Sequence, residues 1–236
     1  MRLTRQEFAS DYGTYAFGYT IHATREAEDE LSTVYESGFL PSSSDPAVRN
    51  RFYMARSVRI PLTPFSPSSE NRRILKKFDD AFEVVAMTKT ELQNNEAFKT
   101  CFLNYFSDHH GQSIMSRERL DAILDTPLPL RGFRYEKDAT PCGYVLEIME
   151  GAFVHYWFSC YTSDYAGTSL GMWLMLDSVQ RAKKEAKKYT YVGTAYGAKG
   201  RYKMNLTPIE FWNGNEWVKN EKLLKELIAK DSKRGS

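Results

Sequence analysis

Cysteine is scarce in this chain, with three in 236 residues, at Cys101, Cys142 and Cys160. The count is odd, the spacings are wide and no CxxC pair occurs, which argues against a disulfide framework or a structural zinc site. Long apolar runs are also lacking; none approaches the ~20 residues that span a bilayer. Neither sign of charge dominates: 32 basic residues face 30 acidic ones, for a net charge of +2. A nucleic-acid binder basic over its whole surface is thereby excluded, while local basic patches are not. The first residues include Arg2, Arg5, Glu7 and Asp11, a polar start unlike a secretory leader. A cytoplasmic chain with reduced thiols is the expectation. Aromatic residues are plentiful, at 14% of the chain with 15 Tyr and 14 Phe. That bulk suits one large domain, or two small ones sharing a core, and not a disordered chain.

Periodicity divides the chain into an earlier and a later part. Residues 24–37 predict a helix with Leu31, Val34 and Tyr35 as its stripe, acidic Glu26, Glu28, Asp29 and Glu30 in its early turns, and Gly38 as its stop. A polar loop follows at 41–50, then an extended segment at 51–62 ending by Pro61 and a Pro/Ser loop at 63–70 that leads into the basic stretch 70–78. A strand is expected at 82–88 and a helix at 91–107 with Leu92, Phe98, Phe102, Leu103 and Phe106 apolar. A further helix is expected at 116–124, opened by Ser116 with Arg119 where a full capping box would have Glu. From 127 the pattern turns to strands. Residues 143–149 and 152–161, joined at Glu150-Gly151, read as an antiparallel hairpin.

The clearest helix is 170–188. Met172, Met175, Leu176, Val179, Ala182 and Ala186 form its apolar face, with Asp177, Arg181, Lys184 and Lys188 opposite. A strand follows at 189–196 with Gly193 inside it, which marks a bulge or a close backbone approach. The tail at 219–236 is basic and amphipathic, with a frayed end. Hairpin, helix and following strand indicate an α+β or α/β layer fold.

Several of these segments occur in a recognisable order. Ser169-Leu170-Gly171 opens the long helix, and Tyr189, Tyr191 and Gly193 make a YxYxG strand. Lys203-Met204-Asn205 follows, and Asn213-Gly214 with Trp217-Val218 closes the stretch. Upstream, residues 57–78 read SVRIPLTPFSPSSENRRILKKF, preceded by YESGF at 35–39 and Phe52-Tyr53, and followed by FLNYFSDHH at 102–110. Together these resemble the aminoacyl-tRNA–protein transferases, the arginyl-transferases and bacterial leucyl-transferases, over roughly residues 30 to 218. The resemblance implies an α+β, acetyltransferase-like (GNAT) fold, with an N-terminal α-rich region (1–125), a GNAT-like sheet domain (126–218) and a basic helical tail (219–236). It implies transfer of an amino acid from its tRNA ester to the α-amine of a protein N-terminus, commonly an acidic one, as a degradation signal. Two departures stand out. The family's cysteine cluster is replaced by Met54-Ala55-Arg56, so no metal site is expected, and the cysteine of its GCPKM element is Arg201 here.

Such a reaction needs a deprotonated amine, donors for the developing oxyanion, and two substrates held together. The ester is already activated, so no cofactor is called for. Arg72 and Arg73 are the first candidates for binding, since guanidinium forks take carboxylate or phosphate; the alternative is a solvated helix start beside Lys76 and Lys77. Tyr202 and Lys203 are candidates for the tRNA end or the acceptor, against an ordinary basic turn. Ser169 and Gly171 would offer backbone N–H groups at a helix start. Tyr191, Tyr196 and Trp173 either stack on the terminal adenine or are plain core. By the resemblance, Asn104 and Tyr105 fall near the acceptor pocket. His109 and His110 are either bases or helix-end contacts. His155 is either cleft-lining or paired with Glu147. Arg181, Lys184 and Lys188 form a candidate track for the tRNA backbone. Asp164 to Ser169 lacks the Gln/Arg that opens a CoA pyrophosphate loop, which argues against CoA. A CoA-dependent N-acyltransferase and a non-catalytic tRNA- or N-terminus-binding relative are the competing readings.

Overall fold

The computed structural model of the chain describes residues 1–11, 16–26, 30–43, 47–111 and 114–234. Glu28 and Asp29, part of the loop at 41–50 and the last two residues of the tail therefore lie outside the described residues. The chain opens with β1 (Arg2–Asp11), β2 (Ala16–Thr24), α1 (Leu31–Glu36), β3 (Phe39–Pro41) and β4 (Arg51–Met54). These strands form a small antiparallel sheet in the order β1-β2-β4-β3. The helix expected over 24–37 is corrected to α1, because Thr24 still pairs within β2. Leu31, Val34 and Tyr35 are buried as their spacing requires. Gly38 ends the turn at φ +81°, where a Cβ would lie 2.3 Å from the Trp212 indole, so this left-handed stop also makes room for a ring.

The middle of the chain runs through β5 (Ser57–Pro61), α2 (Ser69–Lys77), β6 (Glu83–Met87), α3 (Lys89–Asn94), α4 (Glu96–His110) and α5 (Arg117–Leu124). The single helix expected at 91–107 is two. Thr88 and Glu91 form a complete capping box that starts α3. Asn95, extended at ψ 99°, ends it and caps α4 by accepting from the Phe98 N–H at 2.8 Å. Ser116 Oγ caps α5 by accepting from the Arg119 N–H, so half a capping box suffices there.

The rest is β7 (Leu130–Lys137), β8 (Thr140–Glu150), β9 (Phe153–Tyr161), α6 (Leu170–Lys184), β10 (Tyr189–Thr194), α7 (Gly197–Gly200), β11 (Glu210–Trp212), β12 (Trp217–Val218) and α8 (Glu221–Arg234). One eight-stranded sheet runs β12-β11-β5-β10-β9-β8-β7-β6. The expected N-terminal α-rich region differs from what is found. Five strands precede α2, and β5 and β6 are built into the same sheet as the strands after 126. The reason lies in burial: Ser57, Val58, Arg59 and Ile60 are all buried, so β5 is covered on both faces and shows no alternation.

β9 and β10 are the parallel pair of this sheet, connected by α6 as a crossover, while the other pairings are antiparallel. Val145, Val154 and Tyr156 face the cluster built on α6, whereas Ile148 and Phe153 face Tyr35 of α1, and Tyr144, Leu146 and Cys160 face α4 and α5. Two apolar layers therefore sandwich the sheet. Among the described residues no helix is long and apolar enough to cross a membrane.

Candidate active site

The parallel pairing of β9 with β10 is short. It runs from Phe153–Tyr189 to His155–Tyr191 and stops, although β9 continues to Tyr161 and β10 to Thr194. Two features of the strands cause this. The β8–β9 register shifts between Leu146 and Glu147, so Leu146 faces Phe158 and Glu147 faces Tyr156, a bulge that places one extra residue, Trp157, in β9 and bends it. On the other side Gly193 sits at φ +81°, and the β10–β5 register shifts between Tyr191 and Thr194. The glycine expected to mark a bulge or a close approach does both, since a Cβ on it would lie 3.3 Å from Lys203 Nζ. Open sheets bind ligands where the carboxyl ends of parallel strands diverge.

A cleft of ≈ 460 Å³ occupies that opening. Its floor is His155, Trp157, Phe158, Gly193 and Thr194; Leu40, Pro41, Tyr53 and His22 come from the small sheet, and Arg119 from α5. The lining thus combines apolar side chains with polar groups. Arg119 donates from Nη2 to Ser43 Oγ at 3.0 Å and from Nη1 to the Ile114 carbonyl, while its buried Nε has no partner among the described residues. His22 Nδ1 is likewise buried and unpartnered. Burial, then the Arg51 charge, holds the His22 pKa below its ordinary value. Burial raises that of Tyr53.

His155 is 2% exposed. Its Nδ1 lies 2.8 Å from Tyr35 Oη, and Tyr35 is itself fully buried. Burial, aided by the positive charge of Lys203, pushes the His155 pKa down to about 3. Lys203 is buried behind the floor, where its Nζ donates to the Thr194 carbonyl. Burial pushes its pKa down to about 8. The imidazole is therefore neutral at physiological pH.

The pairing of Glu147 with His155 is corrected, because the two face opposite sides of the sheet. Glu147 accepts from Ser178 Oγ at 2.6 Å, Arg131 Nε at 2.8 Å and Arg181 Nη2 at 2.8 Å, all beneath α6. Arg181 is likewise absent from the expected solvated face. It bridges Glu147 and Asp177, with its guanidinium 3.6 Å from the Phe133 ring centroid. Lys184 and Lys188 remain exposed. Lys184 lines a groove between α2 and α6 together with Arg72, Lys76 and Gln180, whose lining also includes Asp79, Asp80 and Asp177. Arg72 donates to the Pro67 carbonyl, and Arg73 forms a two-pronged exposed pair with Glu70.

The remaining candidates are dispersed. Tyr191 is core, edge-on to Tyr35, Phe153 and Trp217. Trp173 is core as well, against Phe78, Phe82 and Tyr135. Tyr196 is exposed, and its Oη accepts from the Arg56 N–H at 2.7 Å. Tyr202 is exposed on a second hollow beside Arg201 and Lys225. Asn104 and Tyr105 line a separate hollow with His109 and Tyr161. There His109 Nδ1–H donates to the Tyr105 carbonyl, a contact within the last turns of α4. Ser169 precedes α6 in a left-handed conformation without a side-chain cap bond. Among the described residues no three metal-ligating side chains gather. Sequence reasoning missed Tyr35, His22, Arg119 and Tyr53. Only the YESGF and FY segments drew attention to two of these.

A mixed sheet whose one parallel pair parts over a ligand-sized cleft, with a crossover helix beside it, defines the GNAT class of acyl-transfer fold. The family model described as an acetyltransferase (GNAT) domain matches residues 71–204, more than half of the chain, and the chain belongs to that family. It is similar to the aspartate/glutamate leucyltransferase of Cereibacter sphaeroides, 27% identical over 175 residues covering 68% of this chain and 60% of that protein. The aspartate/glutamate leucyltransferase of Parvibaculum lavamentivorans is 27% identical over 168 residues, covering 68% of each chain. The chain thus spans about 60% of the length of the first of these relatives. These likenesses bear out the resemblance to the bacterial leucyl-transferases. The crystal structure of FemX has the same fold at a TM-score of 0.50 and 8% identity, covering 84% of this chain and 70% of that one.

Proposed function

We propose that the protein is an aminoacyltransferase that moves an amino acid from aminoacyl-tRNA to the N-terminal α-amine of a protein or peptide. The observation that carries this reading is the parting of β9 and β10 over a cleft that combines apolar side chains with the Arg119 guanidinium, in a chain similar to named leucyltransferases. The acceptor nitrogen attacks the ester carbonyl carbon, the C–O bond to the ribose breaks, an amide forms, and the amine's proton ends on the released ribose hydroxyl. Leu40, Pro41, Trp157 and Phe158 suit an apolar acyl side chain such as leucyl. Arg119, with an unpartnered Nε, suits an acidic acceptor residue, since guanidinium binds carboxylate by parallel N–H donors. The groove with Arg72, Lys76 and Lys184 is proposed as a phosphate contact for the tRNA, and Lys188 is carried forward as a further candidate for such a contact. Tyr196, Tyr202 and Ser169 are carried forward as candidates for the tRNA end, and Arg73, Asn104 and Tyr105 for the acceptor.

The test is a transfer assay with labelled leucyl- and arginyl-tRNA, peptides beginning with Asp, Glu or Ala, and labelled acetyl-CoA in a parallel reaction. Leucyl label passing to the acidic peptides is expected. Label passing only from CoA would move the protein to the CoA-dependent branch of the fold. No transfer from any donor would leave a binding protein.

A further inference from the structure

The pair formed by Tyr35 and His155 has a defined hydrogen-bond polarity. Tyr35 Oη is fully buried, and among the described residues its hydrogen-bond partner is His155 Nδ1, 2.8 Å away. A buried hydroxyl left without an acceptor for its proton costs roughly 1–3 kcal/mol, and among the described residues no other acceptor lies within hydrogen-bond distance of Tyr35 Oη. Its neighbours are the rings of Phe52, Phe153 and Tyr191. The hydroxyl therefore donates to Nδ1. A neutral imidazole carries one proton, so that proton is on Nε2. His155 lines the cleft floor, and Nε2 is the ring nitrogen left to face it.

Resting on the aminoacyl-transfer reading, we infer that His155 serves as a neutral hydrogen-bond donor, not a base, its Nε2–H meeting the carbonyl oxygen of the acyl group as that oxygen becomes an oxyanion. The amine nitrogen adds to the carbonyl carbon and the π electrons move to oxygen, where the Nε2–H holds them. They return as the ribose oxygen leaves, so His155 gains and loses no proton over the cycle. Donors already aimed at the developing charge lower the barrier without reorganising. The titratable groups around the ring agree with this role. Tyr35 from α1 supplies the donor, Tyr191 from β10 is packed edge-on to Tyr35, and Lys203 adds positive charge from behind. Of these, the Lys203 charge opposes a second proton on the imidazole, as burial does. A ring that stays neutral throughout the physiological range remains a one-sided donor, and its tautomer is set by a tyrosine outside the cleft.

Two measurements test this. Nitrogen NMR of the histidine rings from about pH 5 to 8 reports the tautomer directly. There are four histidines, and the His155 signals are those lost in His155→Gln. An unchanging Nε2–H tautomer is expected, mixing with the other form in Tyr35→Phe. A protonated ring near pH 6, or a proton on Nδ1, would overturn the assignment. In the transfer assay His155→Gln, whose amide still donates, is expected to stay within about tenfold of wild type. His155→Leu is expected to lose ~100-fold in kcat with KM little changed, the usual cost of one oxyanion donor. Equal losses in Gln and Leu, with wild type active, would overturn the role of His155 alone. A wild-type chain that carries the Nε2–H tautomer and transfers nothing would overturn the aminoacyl reading and the carbonyl role with it.

Discussion

His155 illustrates how one residue's position changes its chemistry. In the unfolded chain an imidazole titrates near ~6.5; folded, this one is pushed down to about 3, first by burial and then by Lys203. Below about pH 6.5 the unfolded chain takes up a proton that the folded chain refuses, so stability falls as pH drops toward 3. His155→Gln cannot titrate and escapes that loss. The gap between wild type and variant in urea midpoint should therefore shift in the variant's favour between about pH 7.5 and pH 5, above the carboxylate range. A gap that stays constant would mean that the ring protonates alike in both states. His22 adds acid sensitivity of the same sign through its own lowered pKa, but both proteins share it.

At the scale of elements, α6 is held to the sheet by charge as well as by apolar packing. Leu170, Leu174, Leu176 and Val179 are buried against it, each contributing roughly 1.5–3 kcal/mol by leaving water. Beneath them the fully buried carboxylate of Glu147 accepts from three donors, and Arg131 also grips Glu185 at the helix end with two bonds. Removing the carboxylate takes one of two carboxylate partners from each of two partly buried guanidinium groups, leaving Arg131 to Glu185 and Arg181 to Asp177. Glu147→Ala should cost about 3–5 kcal/mol, as breaking buried pairs does, and leave transfer per folded molecule unchanged. Urea denaturation read beside activity checks both. A cost below about 1 kcal/mol, typical of surface pairs, would show that the network adds little.

For the whole molecule, a near-neutral net charge of +2 means that any nucleic-acid affinity rests on local patches. Each phosphate neutralised adds just under one unit to the slope of log affinity against log salt. If the α2–α6 groove contacts tRNA, the double variant Arg72→Ala, Lys184→Ala should flatten that slope by about 1.5–2 units and weaken binding uniformly across tRNAs. The measurement is fluorescence-detected binding of a tRNA acceptor-stem hairpin at several salt concentrations. An unchanged slope would remove the groove from the proposed interface. Arg181, already bound to Glu147 and Asp177, adds nothing to this patch.

The long helix, the 143–161 hairpin, the strand after the helix, and the order of motifs that carries the family resemblance were legible in the amino-acid order. These rest on interactions between residues a few positions apart: helical and strand periodicity, caps, and glycines at left-handed turns. Gly193 announced a close approach, but nothing local could say that Lys203 was the approaching group. The cleft was not legible, because it is assembled across the whole chain: Tyr35 lies 120 positions from His155, and Arg119 reaches the site from α5. Of the N-terminal strands, β4 and β5 were legible only as one extended segment at 51–62, since β5, covered on both faces, shows no alternation, and β1 to β3 were not read as strands. The face on which a charge ends up also depends on the partner it finds. Arg181 looks solvated by helical spacing, yet it is drawn inward because Glu147, 34 residues earlier, is buried there and requires a countercharge. Local order thus determined the elements and the class of fold, while burial and long-range pairing decided which side chains are left to act.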